Sequence, residues 1–191
     1  MLVIFICLLI GFILKRAKLL PENADKTLSK LETQVLCPAL SISAFAQYCT
    51  VDTLTENYVL VLYGAGIVLV AIALALGLAK LLQPKDGYKR NIYTYALTFA
   101  NWGFMGNAIV PMILGGNVHL FYYQLFALPL NFATYLWGVG ILTPKEYRKG
   151  NPVKNLLNPP MVGVFIGMLI GLTGLGKVMP SFVMTTVDSL A

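Results

Sequence analysis

Six long apolar stretches follow one another along this chain, separated by short polar connections. Nothing else in the sequence constrains the fold as strongly. In hydrocarbon every backbone N–H and C=O needs an internal partner, and an apolar segment of about 20 residues meets that demand by spanning as a helix. Charged residues are 12% of the 191 and hydrophobic residues 58%, whereas soluble domains carry roughly 25% charge. The sequence therefore reads as an all-α integral membrane protein with about six transmembrane helices.

The first stretch, Met1 to Leu14, covers about 21 Å as a helix, short of the ~30 Å core. Signal peptides carry their positive charge ahead of the apolar run, and here Lys15 and Arg16 follow it. A first span whose start lies upstream is the expectation. Pro21 and Glu22 are expected to open the second span, with proline in the first turn and an acid beside the positive helix end. That span extends to Tyr48, keeps Leu28, Leu31, Val35 and Ala39 on one face, and is kinked at Pro38. The third covers Tyr58 to Ala79, the fourth Tyr93 to Leu114 and the fifth Leu120 to Leu142. Gly115-Gly116-Asn117 forms a tight turn, with His119 just beyond it. The sixth starts at Pro159-Pro160 and ends near Lys177 and Pro180, and Ser181 to Ala191 read as the start of a seventh helix that the chain does not complete.

Thirteen of the 14 lysines and arginines follow spans one, three and five, in the connection or, for Lys26 and Lys30, in the first turns of the next span; Lys177 is the exception. Cytoplasmic loops carry such an excess, so the N-terminus, the acidic loop with Asp52 and Glu56, and the turn before His119 are expected outside the cell or inner membrane. The same distribution explains a net charge of +6 without a nucleic-acid partner. Cys7, Cys37 and Cys49 suggest no disulfide framework.

The fourth span contains Asn101-Trp102-Gly103-Phe104-Met105-Gly106-Asn107-Ala108-Ile109-Val110-Pro111. Amides, glycines and a proline are each costly in a plain span, and polar groups at that depth face a cavity or another helix. A lone asparagine is explained equally well by a helix–helix hydrogen bond, worth about 1 kcal/mol or less. The whole cluster points to a broken helix lining a substrate site. Asn101, Gly103, Gly106, Asn107 and Pro111 are the candidate substrate-binding residues there. Gln124 and Asn131 on the fifth span are candidates for the same cavity.

Other patterns carry less. Gly171 to Lys177 nearly spells a phosphate-binding loop, but Val178 stands where serine or threonine is needed and no strand precedes it. Glycine-rich helix packing explains it better. His119 is the only histidine, so no metal site is expected. Trp137, Tyr48, Tyr58, Tyr93 and Tyr147 lie near span boundaries, as an aromatic belt does. No nucleophile, base and acid set suggests an enzyme, and no cofactor is expected.

Several short motifs, in this order, resemble the auxin efflux carrier family. They are Gly11-Phe12-Ile13-Leu14-Lys15-Arg16 with Leu19-Leu20-Pro21-Glu22, Leu36-Cys37-Pro38-Ala39-Leu40, Asn101 with Phe104-Met105-Gly106, Gly115-Gly116, and Asn158-Pro159-Pro160 with Gly167. The resemblance implies a ten-span secondary transporter of two inverted five-helix repeats, whose fourth and ninth helices break and cross. Residues 1–142 would be the first repeat, 143–157 a basic cytoplasmic loop, and 158–191 the first helix of the second repeat and the start of the next. It implies alternating access for small organic anions, auxin-like compounds or malate, with the carboxylate at the broken helix. Asn101 carries over as substrate-binding, and Ser41 and Ser43 on the second span as supporting polar residues. The family has proline two residues after the motif glycine, where this chain has Ala108, so the break is expected to be displaced toward Pro111. The second crossing arm is expected from a missing C-terminal half or a second subunit, a homodimer included. The alternatives are a truncated or split fragment without transport of its own, and an accessory or channel-like membrane subunit.

Overall fold

A computed structural model describes residues 2–83, 85–99, 101–144 and 151–190, and the described residues are helices and their connections. Lys145, Tyr147, Arg148 and Lys149 of the expected basic loop lie outside them, as do Ala100, Ala191 and the side chain of Lys177. Helix α1 is Leu2–Arg16. Helix α2 runs as Ala24–Leu31, a π-helical turn Glu32–Leu36 and Cys37–Tyr48. Helix α3 is Val51–Leu82, α4 Gly87–Thr98 and α5 Trp102–Leu114. Helix α6 is Asn117–Ala133, continued through a π-helical turn Thr134–Gly138 into Val139–Leu142. Helix α7 is Pro159–Thr173 and α8 Ser181–Leu190.

Local chemistry sets these boundaries. Asn23, not Pro21, holds the cap position of α2, and the Pro21 carbonyl accepts the first hydrogen bond from Ala24 N–H at 3.0 Å. The expected opening at Pro21-Glu22 is thus a turn too early. The kink at Pro38 takes the form of a widened turn: Cys37 N–H bonds Glu32 O, five residues back, just before the proline ring needs space. Asp52 and Glu56 lie in the first turns of α3 rather than in a loop, because Thr50 and Thr53 cap each other reciprocally at 3.1 and 2.8 Å. Gly115 and Gly116, at φ 76° and 82°, make the left-handed turn the sequence calls for, and Asn117 already belongs to α6. Asn158 caps α7 by accepting from Met161 N–H at 3.1 Å, with Pro159 in the first turn. That helix stops at Thr173 on left-handed Gly174, short of the expected Lys177.

Among the described residues two helices are long and apolar enough to cross a membrane by length and composition, Val51–Leu82 and Asn117–Leu142, and Met105–Leu114 and Pro159–Thr173 are shorter apolar helices. The 32 residues of α3 extend about 48 Å. Its buried residues are small, Gly64, Val68, Ala75 and Ala79, while Leu62, Leu69, Leu74 and Leu81 point outward. A soluble helix has the opposite arrangement.

The interior has two clusters. Ala44 and Phe45 of α2 and Cys49 just after it meet Leu120, Phe121 and Leu125 of α6 and Val164 of α7, with Phe45 and Phe121 edge to face at 5.3 Å. Val68, Phe99 and Leu130 form the second with Tyr95, Trp102 and Trp137. Glycines allow the close approaches. A Cβ on Gly163, Gly167 or Gly171 would fall 2.5 to 3.1 Å from backbone atoms of α2, the small-residue contact of membrane helix pairs.

Candidate substrate site

Helix α4 ends where Phe99 leaves helical geometry (φ −110°, ψ 85°) and buries its ring against Tyr95 and Trp137, at 5.1 and 6.1 Å between ring centres. Helix geometry resumes at Trp102. Asn101 holds the cap position, but its side chain caps nothing. The first N–H groups of a helix have no partner within it, so the start of α5 offers bare donors and the positive dipole end. The interruption lies before Trp102, and Gly103, Gly106 and Pro111 all lie inside α5. The break is therefore not displaced toward Pro111.

Gly106 and Pro111 act within that helix in different ways. Tyr123 Oη–H donates to Trp102 O at 2.6 Å, tying α6 to the first turn of α5. A Cβ on Gly106 would overlap the Tyr123 phenol, so the glycine is the clearance for this bond. Pro111 has no N–H for the carbonyl of Asn107 four residues earlier, which leaves that carbonyl without its usual helical donor.

Two cavities meet at Asn107 and Cys37. The smaller, about 80 Å³, has walls from α2 (Ser41), α5 (Trp102, Gly103), α6 (Gln124, Asn131, Tyr135) and α7 (Pro160, Met161, Val164). The larger, about 430 Å³, is lined by Glu32, Ser43, Pro111, Asn117 and Asp188 among others. No lysine or arginine lines either cavity among the described residues. Gln124 is 5% exposed, and neither its Nε2 nor its Oε1 has a hydrogen-bond partner. Buried polar atoms are nearly always paired, and each bare one costs about 1–3 kcal/mol.

The candidate residues thus divide. Ser41, Gly103, Asn107, Gln124 and Asn131 come together on the smaller cavity, and Ser43, Asn107 and Pro111 line the larger. Asn101 is exposed and lines neither. Ser43, 2% exposed, donates its hydroxyl to Asp188 Oδ1 at 2.6 Å, and Gln47 Nε2 donates to the same oxygen at 2.9 Å. Asp188 and Tyr123 are site residues that sequence reasoning missed. Asp188 belongs to a partner pair 145 positions apart, with no local signature. Tyr123 lies one residue before Gln124, and its hydroxyl is explained only once α5 lies beside it.

The glycine-rich run and His119 have structural places in the fold. Gly171 approaches Phe45 O and Cys49 O, and Gly174 caps α7, so these glycines are packing and capping elements. His119 belongs to α6 and its Nδ1 lies 2.6 Å from Gly115 O. No group of three or more metal-ligating side chains occurs among the described residues.

Outward-facing apolar helices around polar inner cavities define a helical membrane protein. The chain belongs to the membrane transport protein family, the auxin efflux carrier family, which it matches over residues 1–191. No curated protein and no solved structure matches it. The family is one of transporters rather than enzymes.

Proposed function

We propose that the protein carries small organic anions, auxin-like compounds or malate, across the cell or inner membrane by alternating access. The substrate carboxylate binds in the smaller cavity, between the start of α5 and Gln124. One observation carries this reading: a nine-tenths buried amide with both polar atoms bare, in the wall of a cavity that also holds Ser41, Asn107 and Asn131. Neutral donors and a helix start are the groups that hold carboxylates in broken-helix transporters.

The remaining architecture is part of the same proposal. Helices α1, α2, α3, α4 with α5, α6 and α7 are six spans, the first five an inverted-repeat unit, with α4 and α5 one arm of a crossing. The basic connections lie in the cytoplasm and the N-terminus outside, as the lysine and arginine distribution supports. A C-terminal half or a second subunit, a homodimer included, supplies the other arm.

Uptake of radiolabelled malate and indole acetate by proteoliposomes tests the reading. Asn107→Ala is expected to lower uptake of the carried anion at least tenfold, and Asn101→Ala to change it less. Equal uptake by Asn107→Ala and the wild type overturns the assignment of this cavity.

A further inference from the structure

Gln124 presents a donor and an acceptor, and both lack partners. A plain carboxylate only accepts. It would bond Nε2 and leave Oε1 bare, with most of the desolvation cost still in place. Turning the amide over exchanges the two atoms and leaves the same need. A ligand that satisfies Gln124 must bring an acceptor and a donor side by side.

The surroundings narrow the donor. The smaller cavity is lined by Ser41, Asn107, Asn131 and Tyr135 but, among the described residues, by no aspartate or glutamate. An ammonium donor would bring three N–H groups to Oε1 and the neutral lining groups, and each one left over is costly when buried. A hydroxyl brings one proton, which Oε1 takes. It also leaves the carboxylate ionised for the amide and hydroxyl donors of Ser41, Asn107 and Asn131. Volume agrees. About 80 Å³ is the space of between two and three waters at roughly 30 Å³ each, so the cavity takes a short acid. The terminal torsion of a glutamine side chain is soft, so the amide can turn into the cavity whose wall it forms. Anything longer extends past Asn107 and Cys37 into the larger cavity.

Resting on the anion-site reading above, we infer that Gln124 makes this site selective for acids with a hydroxyl on the carbon next to the carboxylate. The carboxylate accepts from Nε2 and the hydroxyl donates to Oε1. Gln124 is a specificity-determining residue, and the hydroxyl, not the chain length, is what it reads.

Trp102 lines the same cavity and is one of two tryptophans, so Trp137→Phe in the full chain leaves it as the only indole reporter. The test titrates this protein, in liposomes at neutral pH, with lactate, propionate and 2-methoxypropionate. Lactate is expected to bind about tenfold or more tightly than the other two, the loss that follows from one unpaired buried acceptor. Gln124→Leu is expected to bring lactate down to propionate. Equal binding of lactate and propionate overturns the inference and leaves the anion site standing. A lactate preference that persists in Gln124→Leu overturns the role of Gln124. Absence of any response to all three acids overturns the anion site and the inference with it. If Gln124→Leu does not fold, the three-acid comparison on the Trp137→Phe protein decides the hydroxyl requirement, and Gln124→Met, closer in shape, decides the residue.

Discussion

Adding one methyl group to Gly171 probes the contact between α2 and α7, two walls of the smaller cavity. Its Cβ would fall 2.5 Å from Phe45 O and 2.5 Å from Cys49 O, about 0.9 Å inside ordinary contact at 3.4 Å. Both neighbours are backbone, so no side chain can swing aside. Helices α2 and α7 must separate by up to that distance. A gap of 0.5–1 Å forfeits roughly a quarter to a half of each dispersion contact across the seam. Overpacking of this kind costs about 1–3 kcal/mol. Gly66 on α3 is the internal control, because a Cβ there meets nothing within 4 Å. An alanine at that position should stabilise a helix interior by roughly 0.5–1 kcal/mol. Reversible unfolding in detergent micelles, read by circular dichroism, is the assay. Gly171→Ala is expected to be destabilised and Gly66→Ala unchanged or more stable. Equal stability of the two variants would refute the close seam between α2 and α7.

Two more consequences follow from single contacts. Gly106→Ala is expected to displace Tyr123 from Trp102 O at a cost of about 1 kcal/mol. In a double-mutant cycle with Tyr123→Phe the two losses should not add, since they remove the same bond; additivity would show that the glycine acts otherwise. Asp86 caps α4 through Lys89 and Tyr88 N–H, both at 3.0 Å, and the Lys89 N–H bond first, then the Tyr88 bond and the Lys89 charge, hold its carboxyl below the ordinary range. Its folded value is depressed, so the cap's stabilisation is present above the unfolded carboxylate range and is lost as pH falls through the folded value. Protection of the Tyr88 and Lys89 amides, measured as exchange relative to the intrinsic rate at each pH, should fall on acidification in the wild type and show no such step in Asp86→Asn.

Much of the helical layout was legible because short-range chemistry determines it. Asn158-Pro159-Pro160 caps α7 as its composition suggests, and Gly115-Gly116 turns the chain between α5 and α6. The polar cluster after Ala100 also falls where helical geometry stops at Phe99 and resumes at Trp102. Its internal division was less legible, because glycine and proline have two meanings in a membrane helix. Gly106 reads as a breaker and serves as clearance for Tyr123, while Pro111 stays inside α5. Neighbouring helices make both tolerable. Asn101 stood out on residue type, yet Asn107 faces both cavities, since about one and two-thirds helical turns separate the exposed cap from the half-buried Asn107. Gln124 and Asn131 could be named from polarity alone; the unpaired state of Gln124 emerges only from three-dimensional packing. The tie from Ser43 to Asp188 joins distant helices and has no sequence period to betray it.

Cys37 lines both cavities beside Asn107 and is half-buried, which makes it a native reporter on the proposed route. With Cys7→Ser and Cys49→Ala it becomes the only cysteine of three. Its rate of alkylation by a small maleimide can then be followed in liposomes with the reagent on either side. If the cavity at α5 and Gln124 is the alternating-access site, Cys37 reacts from both sides, and the carried anion, malate or indole acetate, slows the reaction in the wild-type background but not in Asn107→Ala. Labelling from one side only, at a rate that neither anion changes, would contradict it.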